Sequence, residues 1–165
     1  MMLSTTIKEC RSCGHTELKS VLELGNVSLA NSLLRKDQLE QPENRFPLDV
    51  VFCSNCALVQ ITETVKPEVL FSDYLYFSSF SDTALQNAKD IADRLVLERK
   101  LTSESLAAEV ASNDGYLLKN YIEKGIPVLG IEPAQNIAKV ANEKGIRTVA
   151  KFFNVETAKK IMEES

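Results

Sequence analysis

The sequence predicts an α/β protein in two parts: a small four-cysteine N-terminal domain, then the opening βαβαβ portion of a Rossmann-like parallel sheet. Three observations predict it. All four cysteines fall into two Cys-x-x-Cys pairs, Cys10 with Cys13 and Cys53 with Cys56. From about residue 101, short apolar runs alternate with segments of helical period, the pattern of a parallel sheet with helices on its faces. The first two predicted strands each end beside a carboxylate, Glu109 and Glu132. The boundaries follow: a cysteine domain over 1–72, an aromatic linker and connecting helix over 73–100, and a partial sheet domain over 101–165.

Residues 7–14 and 51–56 read as two strand-and-turn knuckles. Between them Gly25, Asn26, Pro42 and Pro47 mark a loop-rich segment. Residues 46–52 alternate loosely and predict a strand, with 56–61 as a short apolar run able to pair with it. The run 72–81, Ser-Asp-Tyr-Leu-Tyr-Phe-Ser-Ser-Phe-Ser, is aromatic and hydroxyl-rich without a regular period, and reads as a linker packed against something. Over 82–100, Ala84, Leu85, Ala88, Ile91, Ala92, Leu95 and Val96 recur at three- and four-residue steps, which predicts a helix capped by Ser81 or Asp82. Then come a strand over 105–111, a helix over 116–123 closed near Gly125, a strand over 127–131 and a helix over 135–144 followed by Gly145. A third strand over 147–150 and a helix beginning at 155–162 complete the series.

Thiolates in a reducing compartment read as metal ligands sooner than as disulfides. Four thiolates close a tetrahedral zinc shell, and a two-residue gap lets one tight turn aim both sulfurs at one ion. A domain this poor in helix and aliphatic core also needs such a staple. A closed shell leaves no position for water, so the zinc is expected to be structural. Redox chemistry of the thioredoxin type would put a pair at a helix start inside a βαβ unit, where neither pair lies. Disulfides would require a secreted protein. His15, the only histidine, reads as a surface neighbour of the first pair, with a substitute-ligand role as the alternative.

The run Glu109-Val110-Ala111-Ser112-Asn113-Asp114-Gly115-Tyr116 follows a predicted strand and opens a predicted helix. A dinucleotide loop needs G-x-G-x-x-G, because backbone must approach a pyrophosphate closely. Here those places hold Ala111, Asn113 and Tyr116. S-adenosylmethionine (SAM) carries no phosphate, and its charged amino group and ribose suit an acid at each strand tip. Its pattern, acid-x-G-x-G-x-G, is matched by Glu109 and Gly115, with Ala111 and Asn113 in the other glycine places. The bland alternative is a simple Asn-Asp-Gly turn beside a solvated strand end.

Taken together these runs resemble the sugar C-methyltransferases that act on nucleotide-linked deoxysugars. The likeness covers both cysteine pairs, Leu24-Gly25, Ala30-Asn31-Ser32, Pro47-Leu48, Leu58-Val59-Gln60 and Phe71-Ser72-Asp73-Tyr74. It continues through Tyr76-Phe77-Ser78-Ser79, the run from Glu109 to Leu117, and Leu129-Gly130-Ile131-Glu132-Pro133-Ala134. The resemblance implies a zinc domain, a SAM methyltransferase fold and a C-terminal sugar-holding domain. It implies that Glu109 and Gly115 line the methionine end of SAM, that Glu132 meets the ribose, and that Pro133, Phe152 and Phe153 flank the adenosine. Tyr74, Tyr76, Ser78 and Ser79 match the family's aromatic linker, which faces the active site; this implies Tyr74, Ser78 and Ser79 as cofactor-binding candidates and Tyr76 as the candidate catalytic residue, with core or interface packing as the other reading of Tyr76.

The implied reaction is C-methylation beside a ketone, which needs a base, most often histidine. His15 belongs to the cysteine domain. The base is therefore expected in sequence beyond residue 165, with a missing C-terminal part of the enzyme, or else the chain is inactive and binds SAM weakly. The implied partner is a nucleotide-sugar substrate. A zinc-binding interaction module with a degenerate α/β tail is the alternative. Charged residues make up 25% and the net charge is −4, with no basic stripe of the kind a nucleic-acid binder carries. No apolar run suits a membrane span or a signal peptide, so a cytoplasmic location is expected.

Overall fold

The structure, a computed structural model, describes residues 3–164. The chain divides into two compact units, residues 1–70 and 71–165, each described by itself. The segment 73–100 lies within the second unit.

In the first unit, β1 (Ser4–Thr6) pairs antiparallel with β5 (Glu63–Val65). A second sheet has the order β2 (Leu18–Ser28), β3 (Arg45–Cys53), β4 (Val59–Ile61), all antiparallel. The strand expected over 46–52 is β3, and the apolar run after it supplies β4, with Val51 opposite Gln60. The loop-rich reading around Gly25 and Asn26 is overturned, because both residues lie inside β2. The register of β2 against β3 shifts between Ser20 and Leu22 and again between Glu23 and Asn26. Each irregularity breaks the two-residue alternation by which a strand is recognised. Gly25, at φ 69°, sits in the second. Cys10, Phe46, Val51 and Cys53 are buried, whereas Val21, Leu22 and Leu24 are exposed. So thin a core leaves the sheet dependent on a further cross-link.

A short helix α1 (Pro67–Phe71), not foreseen from the sequence, begins at a proline, whose missing N–H costs nothing in a first turn. In the second unit, α2 (Asp82–Arg99) is capped by Ser81, whose hydroxyl accepts from the Ala84 N–H at 3.2 Å. It ends at Lys100 in the left-handed conformation. Its small buried residues Ala88 and Ala92 face inward, and the helix packs on α3 (Lys119–Ile122).

The parallel sheet has the order β6 (Ala107–Val110), β7 (Val128–Ile131), β8 (Thr148–Val149). Helices α4 (Gln135–Glu143) and α5 (Val155–Glu163) follow β7 and β8. The central strand β7 is buried throughout, as a strand flanked on both sides should be. Ala92, Leu118, Tyr121, Ile126, Val128, Ala141 and Ile146 form the core.

The helix expected over 116–123 is α-helical only over Lys119–Ile122. The Asn120 side chain donates to the carbonyls of Tyr116 and Leu117, at 3.2 and 3.1 Å, and the Asn120 and Tyr121 N–H groups reach only three residues back. Side-chain competition of this kind is why asparagine weakens helix interiors.

Candidate functional site

The two cysteine turns share one backbone design. Gly14 N–H donates to Cys10 O and Ala57 N–H to Cys53 O, each at 2.9 Å. In return Cys10 N–H donates to His15 O at 2.8 Å and Cys53 N–H to Leu58 O at 2.9 Å. The residue after each second cysteine is left-handed, Gly14 at φ 71° and Ala57 at φ 61°. The turns bring four free thiols together. Cys10 Sγ and Cys56 Sγ are 3.6 Å apart, Cys13 Sγ and Cys53 Sγ 3.7 Å, and all four lie within 4.8 Å of one another. A zinc–sulfur length of about 2.3 Å gives a tetrahedral edge of about 3.8 Å, so the donor set fits zinc after movements of ångström size.

Electrostatics support the same reading. Cys10 is pulled down to about 6, chiefly by the backbone N–H of Cys13. Cys13 is also lowered, first by the Asn55 side chain and then by the His15 backbone. Cys56 moves the other way, to about 12: the Leu58 N–H favours its thiolate, but bonding to Cys13 and the other cysteines and burial outweigh it. Sulfurs this close share protons in place of a cation, and a dication removes that need. Gln60 Nε2 donates to Cys10 Sγ at 3.2 Å, and Asn55 Nδ2 to Cys13 Sγ at 3.5 Å. Spacing alone did not mark Gln60 and Asn55 as outer partners of the sulfurs. His15 faces Glu17, with Nε2 3.7 Å from its carboxylate.

At the other site, β6 and β7 run side by side with Glu109 opposite Gly130, and Glu132 follows directly on β7. The loop after β6 turns on three left-handed residues: Ala111 at φ 58°, Asn113 at 49° and Gly115 at 78°. These are the three glycine places of the acid-x-G-x-G-x-G pattern. The backbone adopts the shape glycine would favour, although only Gly115 is glycine; an asparagine tolerates that region, an alanine does so with strain. A Cβ on Gly115 would run into the Ile146 side chain.

Glu132 is buried, its Oε2 accepting from Asn113 N–H and its Oε1 from Ala134 N–H, each at 2.9 Å. Each oxygen keeps a lone pair for another donor. Glu109 Oε2 is buried without a hydrogen-bond partner among the described residues. Burial first, and the Glu132 charge second, push Glu109 up to about 7. The two carboxylates thus feel one another across the strand tips. A cationic, hydroxyl-bearing ligand would satisfy both, which is the chemistry of the amino and ribose ends of SAM.

The structure brings Tyr76 and Ser78 to this loop through their backbone and Ser79 to its Asp114, whereas Tyr74 is held by Asn136 in α4. Asn113 Oδ1 accepts from Ser78 N–H at 2.8 Å and its Nδ2 donates to Tyr76 O at 3.2 Å. The Tyr76 side chain is half exposed, and its hydroxyl helps raise the pKa of Tyr116, behind burial, Glu109 and Asp114. Pro133 is half-buried beside Glu132. Phe152 is half-buried and Phe153 is 51% exposed.

Sequence reasoning passed over Asp114 except as part of a turn. Its side chain is wholly buried and accepts from Lys144 Nζ at 2.8 Å. Burial would raise its pKa, but Lys144 and then Ser79 outweigh it and hold it below the usual carboxylate range. Nothing in the spacing linked residue 114 to residue 144.

Residues 10–71 match the family described as "Putative zinc binding domain". The chain is also 36% identical over 155 residues to the C-methyltransferase NovU of Streptomyces niveus, covering 94% of this chain and 37% of that protein. By fold and site, then, this is a four-cysteine zinc-binding unit followed by an α/β unit with a parallel sheet. Residues 10–71 share the zinc-binding family, and nearly the whole chain is similar to part of a C-methyltransferase. It spans little more than a third of the length of that relative. No helix among the described residues is long and apolar enough to cross a membrane.

Proposed function

We propose that this chain is the zinc-binding and cofactor-binding portion of a SAM-dependent C-methyltransferase acting on a nucleotide-linked keto-deoxysugar. The observation that carries the proposal is the pair of carboxylates at adjacent strand tips, joined through a loop with left-handed backbone at all three glycine places. In this reading the parallel sheet is the start of a Rossmann-like methyltransferase fold. Glu109 would meet the ammonium of SAM and Glu132 its ribose hydroxyls, while Gly115 allows close approach at the loop. Pro133, Phe152 and Phe153 would border the adenosine. When bound, SAM supplies an electrophilic methyl group on a sulfonium. Tyr76 would stand nearest the acceptor, and the four thiolates would hold a zinc ion with no part in the chemistry. The acceptor class rests on the resemblance to sugar C-methyltransferases, and the further residues of such an enzyme would complete the acceptor site.

Calorimetric titration with SAM tests the reading. Saturable binding is expected, weak for these 165 residues, and lost in Glu132→Ala. Absence of SAM binding, or preferential binding of a nicotinamide dinucleotide, overturns it.

A further inference from the structure

The segment between α1 and α2 is fastened to the loops after β6 and β7 by two asparagine side chains. Asn136, in the first turn of α4, accepts from Tyr74 N–H at 3.2 Å through Oδ1 and donates to Tyr74 O at 2.8 Å through Nδ2. It therefore mimics a strand partner for one residue. Asn113 does the same across two residues, accepting from Ser78 N–H at 2.8 Å and donating to Tyr76 O at 3.2 Å. The Gln135 N–H donates to Ser72 O at 3.4 Å, a third and longer tie. Residues 72–77 lie outside any regular element, with a short 3-10 turn beginning at Ser78, so these side chains take the place of a sheet ladder for the segment's backbone groups.

The tying residues are not scattered. Asn113 also gives its own backbone N–H to Glu132 at 2.9 Å, and Asn136 lies two residues beyond Ala134, whose N–H holds the other Glu132 oxygen at 2.9 Å. Loss of segment order and loss of Glu132 geometry are thus linked through single residues. We propose that Asn113 and Asn136 are positioning residues that bind segment 72–79 as a strap across the carboxyl ends of β6 and β7, coupling strap order to cofactor occupancy. The coupling to SAM rests on the function proposed above. The strap itself does not, because it is read from hydrogen bonds alone. Asn136 carries the more specific claim: it holds the backbone of Tyr74 and not Glu109 or Glu132, yet its loss weakens SAM binding.

Amide hydrogen exchange on the 165-residue chain, read by NMR with and without SAM, tests this. In Asn136→Ala, exchange at the Tyr74 N–H, which loses the Asn136 acceptor, is expected to accelerate about tenfold, and the Kd for SAM to rise about tenfold. Protection of Gly130, whose N–H in β7 donates to Arg147 O, should stay unchanged and so report that the fold persists. Asn136→Asp, which keeps the acceptor for Tyr74 N–H but loses the donor, should fall between. In the wild type, SAM should slow exchange at Tyr74 and Ser78 together. If SAM binds and protects 109–115 while 74–78 exchange at an unaltered rate, the strap coupling is wrong and the cofactor reading stands. If SAM does not bind at all, the cofactor reading fails, and the accelerated exchange in Asn136→Ala still decides whether the strap is tied as described. Exchange unchanged at Tyr74 in that variant overturns the strap.

Discussion

Replacing Lys144 by methionine isolates one buried charge. Asp114 is wholly buried and paired at 2.8 Å with an ammonium whose side chain is half in solvent. Methionine keeps the unbranched stem and removes the charge. Deleting one partner of a fully buried pair costs about 3–5 kcal/mol. Half of this cation is already hydrated, so we expect Lys144→Met to lose roughly 2–3 kcal/mol at neutral pH. The sign of the pH dependence discriminates. In the wild type the Asp114 pKa is depressed, so its contribution is present above the ordinary carboxylate value and is lost as pH falls through the folded one. In the variant burial is the largest remaining influence, which raises the pKa, so stability is lost as pH rises through that raised value. The gap between the proteins should therefore be widest near pH 7 and close as pH falls toward about 4. Urea unfolding followed at Tyr116 or Tyr121 across that range measures it. A gap below about 0.5 kcal/mol at neutral pH, the size of an ordinary surface substitution, would refute the reasoning, as would a gap that does not change with pH.

Chelation should remove one zinc ion per chain and melt the strands of residues 1–70, since structural zinc contributes about 10–16 kcal/mol in small domains; metal analysis with circular dichroism checks this, and an unchanged melt counts against it. Ala57→Gly should stabilise the first unit by about 0.5–1 kcal/mol without altering zinc content, because Ala57 holds a left-handed φ of 61° at the place where its twin turn has Gly14. SAM affinity should rise up to about tenfold per pH unit below the Glu109 value of about 7 and level off above it, because the ionised carboxylate is the form a cation prefers; Glu109→Gln should flatten that profile in calorimetry. The same raised pKa makes folding stability decline as pH rises from the ordinary carboxylate range to about 7 in ligand-free protein, readable from urea midpoints.

Much of the second unit was legible because its signals are local. The stripe Ala84, Ala88, Ala92 with a serine cap specifies α2 without reference to anything distant. The cysteine spacing likewise specified the ligand set, since a two-residue gap allows one kind of turn. The helix over 116–123 was read too long because Asn120 turns its side chain back on the chain, a choice that periodicity does not record. Strand β2 went unseen because two register shifts erase its alternation.

By itself, then, the amino-acid order determined which residues could ligate a metal, where α2, α4 and α5 begin, and that acids stand at two strand tips. Tertiary structure alone decided that the four sulfurs converge, that Ala111 and Asn113 adopt a glycine-like backbone, and that Lys144 and Asn136 serve residues 30 and 62 positions away. The physical reason is range. Caps, turns and periodicities act over a few residues and leave a mark in sequence, whereas a hydrogen bond between distant segments exists only once the sheet has brought them together.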